Sequence, residues 1–119
     1  MIFINIYDDA NAFARALKNL PETVEFRNAS KKIEGNDSSK KMLEDFRKIQ
    51  IEAYSEQMNT GKVSKELTEK LQNLASVISL NPDVAAYLQA EQRFGVIWED
   101  IMKILNDAIG VDLTLGMEK

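Results

Sequence analysis

Asn81-Pro82-Asp83-Val84-Ala85-Ala86-Tyr87-Leu88-Gln89-Ala90-Glu91-Gln92-Arg93-Phe94-Gly95-Val96-Ile97-Trp98-Glu99-Asp100-Ile101-Met102-Lys103-Ile104-Leu105-Asn106-Asp107-Ala108-Ile109-Gly110 decides the fold. A capping asparagine, a proline at the first helical position and an acid in the first turn open a helix. Nothing interrupts the pattern before Gly110, so the helix runs for about 28 residues, or about 42 Å at 1.5 Å per residue. Projected at 100° per residue, Val84, Leu88, Trp98, Met102 and Ile109 fall on one stripe, and Tyr87, Ala90, Phe94, Ile97, Ile101 and Ile104 continue it. The apolar arc then covers about half the circumference, broader than a surface helix usually carries. Such a helix needs more than one neighbour. Tyr87, Phe94, Ile97, Trp98, Ile101 and Ile104 are therefore the candidate oligomer interface.

Upstream of Asn81 the same period recurs in shorter runs. Ser64 opens a helix whose Leu67, Leu71, Leu74 and Ile78 form one stripe, and Asn59-Thr60-Gly61-Lys62 separates it from the helix before. That third helix is expected from a cap at Asp37 to Asn59, with Met42, Phe46, Ile49 and Ala53 aligned and Leu43 and Tyr54 flanking. Pro21 starts a second helix, carrying Val24, Phe26, Ala29 and Ile33 until Gly35-Asn36 stops it. Asn5 caps a first, with Ile6, Ala10, Phe13, Leu17 and Leu20 at helical spacing. The one strand-like alternation is the Ile2-Ile4-Ile6 stub, and no internal repeat occurs. The expectation is an all-α antiparallel bundle of about five helices in a single domain, 1–119, with 110–119 as a tail.

A chain of 119 residues with 45% apolar and 29% charged residues has the size and composition of one folded domain. Its net charge of −4 offers no broad field for phosphate backbones or anionic lipid. The charge is uneven: Arg27, Lys31, Lys32, Lys40, Lys41, Arg47 and Lys48 face only Glu34, Asp37, Glu44 and Asp45 in the same stretch, a pattern that reads first as a solvated mixed-charge face. Met1 to Tyr7 is apolar but lacks a basic leader and soon meets Asp8 and Asp9, and no run reaches the roughly 20 apolar residues of a membrane span. Residence in the cytoplasm is expected.

Cysteine and histidine are both absent, so the chain has no Ser-His or Cys-His pair, no thiolate site and no side chain whose ordinary pKa lies near neutrality. Five glycines, at 35, 61, 95, 110 and 116, are too scattered for a phosphate loop. Asp8-Asp9, Glu44-Asp45 and Glu99-Asp100 are adjacent pairs, which point about 100° apart on a helix and do not converge on one atom. No catalytic, cofactor or metal residue is assigned. Glu91 lies within the apolar stripe, and a buried carboxylate needs a partner. The third helix supplies candidates in Arg47, Gln50 and Tyr54, so a structural polar network of Glu91, Arg47, Gln50 and Tyr54 is expected. Gly95 costs about 1 kcal/mol relative to alanine in a helix interior, which a close helix crossing would justify. Trp98, Phe94 and Tyr87 read as core, and Met42, Met58 and Met102 as gap-fillers.

Phe46-Arg47-x-x-Gln50, Gln57-Met58 and Ala90-Glu91-Gln92-Arg93, with Asn5-Ile6-Tyr7-Asp8 and Ser39-Lys40-Lys41-Met42, together resemble the YlbF/YheA-like family of small bacterial helical proteins, and its YheA branch more closely. The resemblance implies a self-associating all-α protein of the cytoplasm without known enzymatic activity. Better-studied relatives act in competence, sporulation and biofilm control through a complex that influences ribonuclease Y and messenger RNA processing. Some carry cysteines associated with iron-sulfur clusters; this chain has none, so that role does not carry over.

The leading expectation is a non-enzymatic homo-oligomeric adaptor or regulator that binds itself and another protein. Two alternatives are an RNA-binding accessory protein using Arg27 to Lys48, and a small-ligand sensor around Glu91.

Overall fold

The computed structural model describes residues 5–111. The Ile2-Ile4 part of the apolar stub, and the closing tail from residue 112, lie outside the described residues. Five helices follow in order: α1 (Ile6–Lys18), α2 (Pro21–Glu34), α3 (Asp37–Thr60), α4 (Lys65–Ser79) and α5 (Pro82–Ile109).

Their ends obey local chemistry. Asn5, Ser64 and Asn81 cap α1, α4 and α5 with side-chain oxygens that accept backbone N–H groups, and Pro21 and Pro82 occupy first-turn positions. At α3 the expectation fails by one residue: Asn36, not Asp37, is the cap, accepting from the Ser39 N–H at 3.1 Å. Only one residue separates Gly35 from the helix, and Asn36 takes the extended backbone (φ −135°) that a cap needs, leaving Asp37 as first-turn acid. Gly61 and Gly110 end α3 and α5 in the left-handed region, at φ 79° and 78°, where a Cβ would be strained.

The packing starts from α2 and α5. Glu25 meets Arg93, Phe26 lies between Tyr87 and Phe94, and Ile33 packs with Val84, so the two helices run antiparallel. Against α5 the first half of α3 runs in parallel, joined by Ser39 to Asn81 and by Arg47 to Glu91, and α4 returns along α3 as a hairpin. Ile33, Ile78 and Val84 are buried where α2, α4 and α5 converge, with Met42, Leu43, Phe46, Leu74, Tyr87 and Leu88 around them.

The bundle is open. Its radius of gyration is 18.8 Å, against about 13.5 Å for a compact chain of this length. Among the described residues α1 touches α2 alone and buries none of its side chains. From Lys103 onward every described residue of α5 is exposed.

Candidate protein-interaction surfaces

The end of α5 displays the stripe that its sequence encodes. At 100° per residue Ile97, Trp98, Ile101, Met102, Ile104, Leu105 and Ile109 span an arc of about 160°, with Glu99, Asp100, Lys103 and Asp107 opposite. Ile104 is 65% exposed, and Trp98, Leu105 and Ile109 are exposed too. Of the six residues expected at an oligomer interface, Tyr87 and Phe94 are half-buried and pack within the chain, each ring centroid 5.4 Å from that of Phe26. Trp98 stacks on Phe94 at 6.1 Å from the rim, Ile97 and Ile101 are half-buried, and Ile104 faces solvent.

Two further apolar surfaces were not singled out from the sequence. On α1, Ile6, Tyr7 and Phe13 are exposed. On α3, Ile51, Tyr54 and Met58 are 68%, 69% and 68% exposed at i, i+3 and i+7, one face of the helix. Met58 is thus no gap-filler, and Tyr54 stands out in solvent. The usable signal was present in both: an amphipathic first helix whose stripe exposes large apolar side chains, and a third helix with apolar residues beyond a single core stripe.

Between these surfaces lies a polar cross-link. Arg47 donates one Nη to a Glu91 carboxylate oxygen and the other to Gln50 Oε1 at 3.2 Å. Glu91 retains 36% of its side-chain surface in solvent, so the fully buried carboxylate expected from its place in the apolar stripe is not found. The reason is the opening of α3 away from α5: among the described residues the hydrogen bonds that link the two helices, Ser39 to Asn81 and Arg47 to Glu91, both lie in the first half of α3. Tyr87 lies beside it, its phenol held above the usual tyrosine range by burial and then by the Glu91 charge, with Arg47 opposing. Nearer the end of α3, the Gln57 amide donates to the Gly61 carbonyl at 3.0 Å and helps close the helix.

A second link went unseen in the sequence. Ser39 is 1% exposed, and its hydroxyl accepts from Asn81 Nδ2 at 3.0 Å while Asn81 Oδ1 caps α5. One asparagine thereby ties the start of α5 to the first turn of α3. Gly95 also departs from expectation: a Cβ built there meets nothing within 4 Å, so no close crossing inside this chain requires the glycine.

The basic stretch is partly spent on local pairs. Lys40 meets Glu34, Lys41 meets Asp45, and Arg27 donates to the Lys18 carbonyl. Surface clefts lie between α3 and α4, one lined by Glu52, Glu56, Ser64 and Lys70 among others and a second by Ile49, Leu74 and Val77; Glu91 lines neither. Among the described residues no group of three or more acidic side chains is placed to hold a metal ion, and no helix is long and apolar enough to cross a membrane.

Against this geometry stand the known relatives. The family model described as control of competence regulator ComK, YlbF/YmcA, matches residues 6–110. A UPF0342 protein of Clostridium tetani is 52% identical over 116 residues, 98% of this chain and 100% of the relative. The solved structure of yheA from Bacillus subtilis superposes with a TM-score of 0.57 at 20% identity, covering 90% of this chain and 97% of the other. That of Bacillus subtilis RicA in complex with RicF gives 0.55 at 17%, covering 88% and 93%. At these identities the two structures share the fold with this chain.

Proposed function

This chain belongs to the family described as control of competence regulator ComK, YlbF/YmcA, and from that premise we propose that it is a non-enzymatic, homo-oligomeric helical adaptor of the bacterial cytoplasm. It binds a second copy of itself and a different protein, and serves the regulation of RNA processing, competence, sporulation or biofilm formation. One observation carries the reading: apolar side chains stand exposed in helical register on α1, α3 and the end of α5, more surface than a small soluble monomer commonly leaves to water. The chemistry is consistent with association without turnover, since neither histidine nor cysteine is available and its acidic pairs diverge. The RicA structure supports a protein partner, because that relative in fold was solved bound to RicF.

Crosslinking and capture from the native cytoplasm, combined with native mass spectrometry of the purified chain, tests this. The expected result is a defined homo-oligomer plus a stoichiometric protein partner that also recovers components of RNA processing. Recovery of a monomer carrying a small molecule that the protein converts would overturn it.

A further inference from the structure

We propose that a second copy of this chain docks on the end of the molecule formed by α1 and the last turns of α5, each copy laying its α1 antiparallel along the partner's α5. The inference rests on the self-association just proposed and specifies its surface.

Both helices are unpartnered on matching faces. On α1 the apolar stripe is Ile6, Ala10, Phe13 and Leu17, and among the described residues α1 touches only α2. On α5 the stripe runs from Ile97 to Ile109, beyond the last buried residue, Ala90. The α1 stripe spans 12 residues and the α5 stripe 13, about 18 and 20 Å of helix, so neither overhangs the other by more than a residue. Because α2 runs antiparallel to α5, with Glu25 at the level of Arg93, the start of α2 lies beside the point where α5 leaves the body. α1 and the end of α5 therefore spring from the same end, and two copies related by a twofold axis cover both stripes at once in a four-helix arrangement.

The area suffices. Seven large side chains are exposed on the two stripes and their rims, and at about 100 Å² each they remove roughly 700 Å² per copy, or about 1,400 Å² in all, within the range of stable interfaces. The antiparallel direction sets the two helix dipoles against each other, whereas a parallel seating would align them.

Sedimentation equilibrium of the full chain at micromolar concentration, with Phe13→Asp, Ile104→Asp and Ile51→Asp beside it, tests the surface; circular dichroism confirms that these exposed positions leave the helices intact. The expected result is a dimer for the wild type and Ile51→Asp, and a dissociation constant raised at least 100-fold by Phe13→Asp and by Ile104→Asp. The chain has no cysteine, so direction is read by oxidising mixtures of single-cysteine variants. Leu17→Cys with Ile97→Cys should crosslink between copies, and Leu17→Cys with Ala108→Cys should not. A monomeric wild type overturns self-association and this surface together. A wild-type oligomer that both aspartate variants preserve overturns the surface alone. Loss of the dimer only on changing α5, or the reverse crosslinking pattern, overturns the α1 seating.

Discussion

Arg47 on α3 and Glu91 on α5 form an ion pair in which each side chain keeps 36% of its surface in solvent. Water screens the attraction and also lowers the penalty for leaving one partner alone, so the 3 to 5 kcal/mol typical of breaking a buried pair does not apply. Glu91→Gln should cost about 1 kcal/mol, a fall in Tm of about 3 to 6 °C for a domain of this size. The difference should shrink in 1 M salt. A salt-independent fall beyond about 10 °C would mean that another chain buries the pair.

Asn81 does two jobs with one amide, capping α5 through Oδ1 and donating to the buried Ser39 hydroxyl through Nδ2. Asn81→Ala removes the cap and leaves Ser39 without its donor, and should lower stability by about 2 to 3 kcal/mol. Asn81→Ser restores the cap alone, its single oxygen being used by the α5 backbone, and should recover about half. Urea unfolding of the three proteins checks this; a serine variant as stable as the wild type would refute the second link.

The five helices were legible because each begins at a residue whose side chain caps it or whose ring presets it, and because their stripes keep the 3.6-residue period. The cap of α3 was misplaced at Asp37 since asparagine and aspartate stand side by side and only the backbone turn after Gly35 chooses between them. Pairing of Arg47 with Glu91 could be anticipated from polar residues inside facing apolar arcs. Its degree of burial could not, because that depends on where α3 diverges from α5, a tertiary angle that no local pattern encodes. The exposed face of Ile51, Tyr54 and Met58 was hidden for the same reason: periodicity marks an apolar face without saying whether a neighbour reaches it.

Gly95 sits mid-helix with open space where its Cβ would stand. Gly95→Ala should therefore stabilise the chain by about 0.5 to 1 kcal/mol, through helix propensity and a less flexible unfolded state. Thermal melting together with sedimentation measures both fold and assembly. A lower Tm, or a lost oligomer, would show that a partner helix approaches this position more closely than a methyl group permits.

Burial, and then the neighbouring Glu91 charge, raise the Tyr87 pKa, with Arg47 opposing. The folded state therefore holds this proton more tightly than the unfolded state. The resulting stability is fully present below about pH 10, the ordinary tyrosine value, and is lost as pH rises through the folded-state pKa. Tyr87→Phe should flatten the decline in stability above pH 10 and remove the last-titrating component from the ultraviolet phenolate titration. A wild-type decline unchanged in the variant would assign it to other groups.

Ile51, Tyr54 and Met58 occupy one face of α3, a helix that among the described residues does not touch α1, and their exposure sets what substitution there should do. Exposed side chains that close no cavity and carry no structural hydrogen bond usually change stability by less than about 0.5 kcal/mol. The variant Ile51→Ser, Tyr54→Ser, Met58→Ser should melt within about 3 °C of the wild type and keep its oligomeric mass. If this face receives the adaptor's heterologous protein partner, the same variant should lose that partner in the crosslinking capture, since aromatic and methionine side chains at the centre of an apolar patch carry a disproportionate share of binding energy. A change in oligomeric mass would instead assign the face to contact between copies. Full retention of the partner by a folded, oligomeric variant would remove this face from the adaptor mechanism and leave the hairpin of α3 and α4 with a purely structural role.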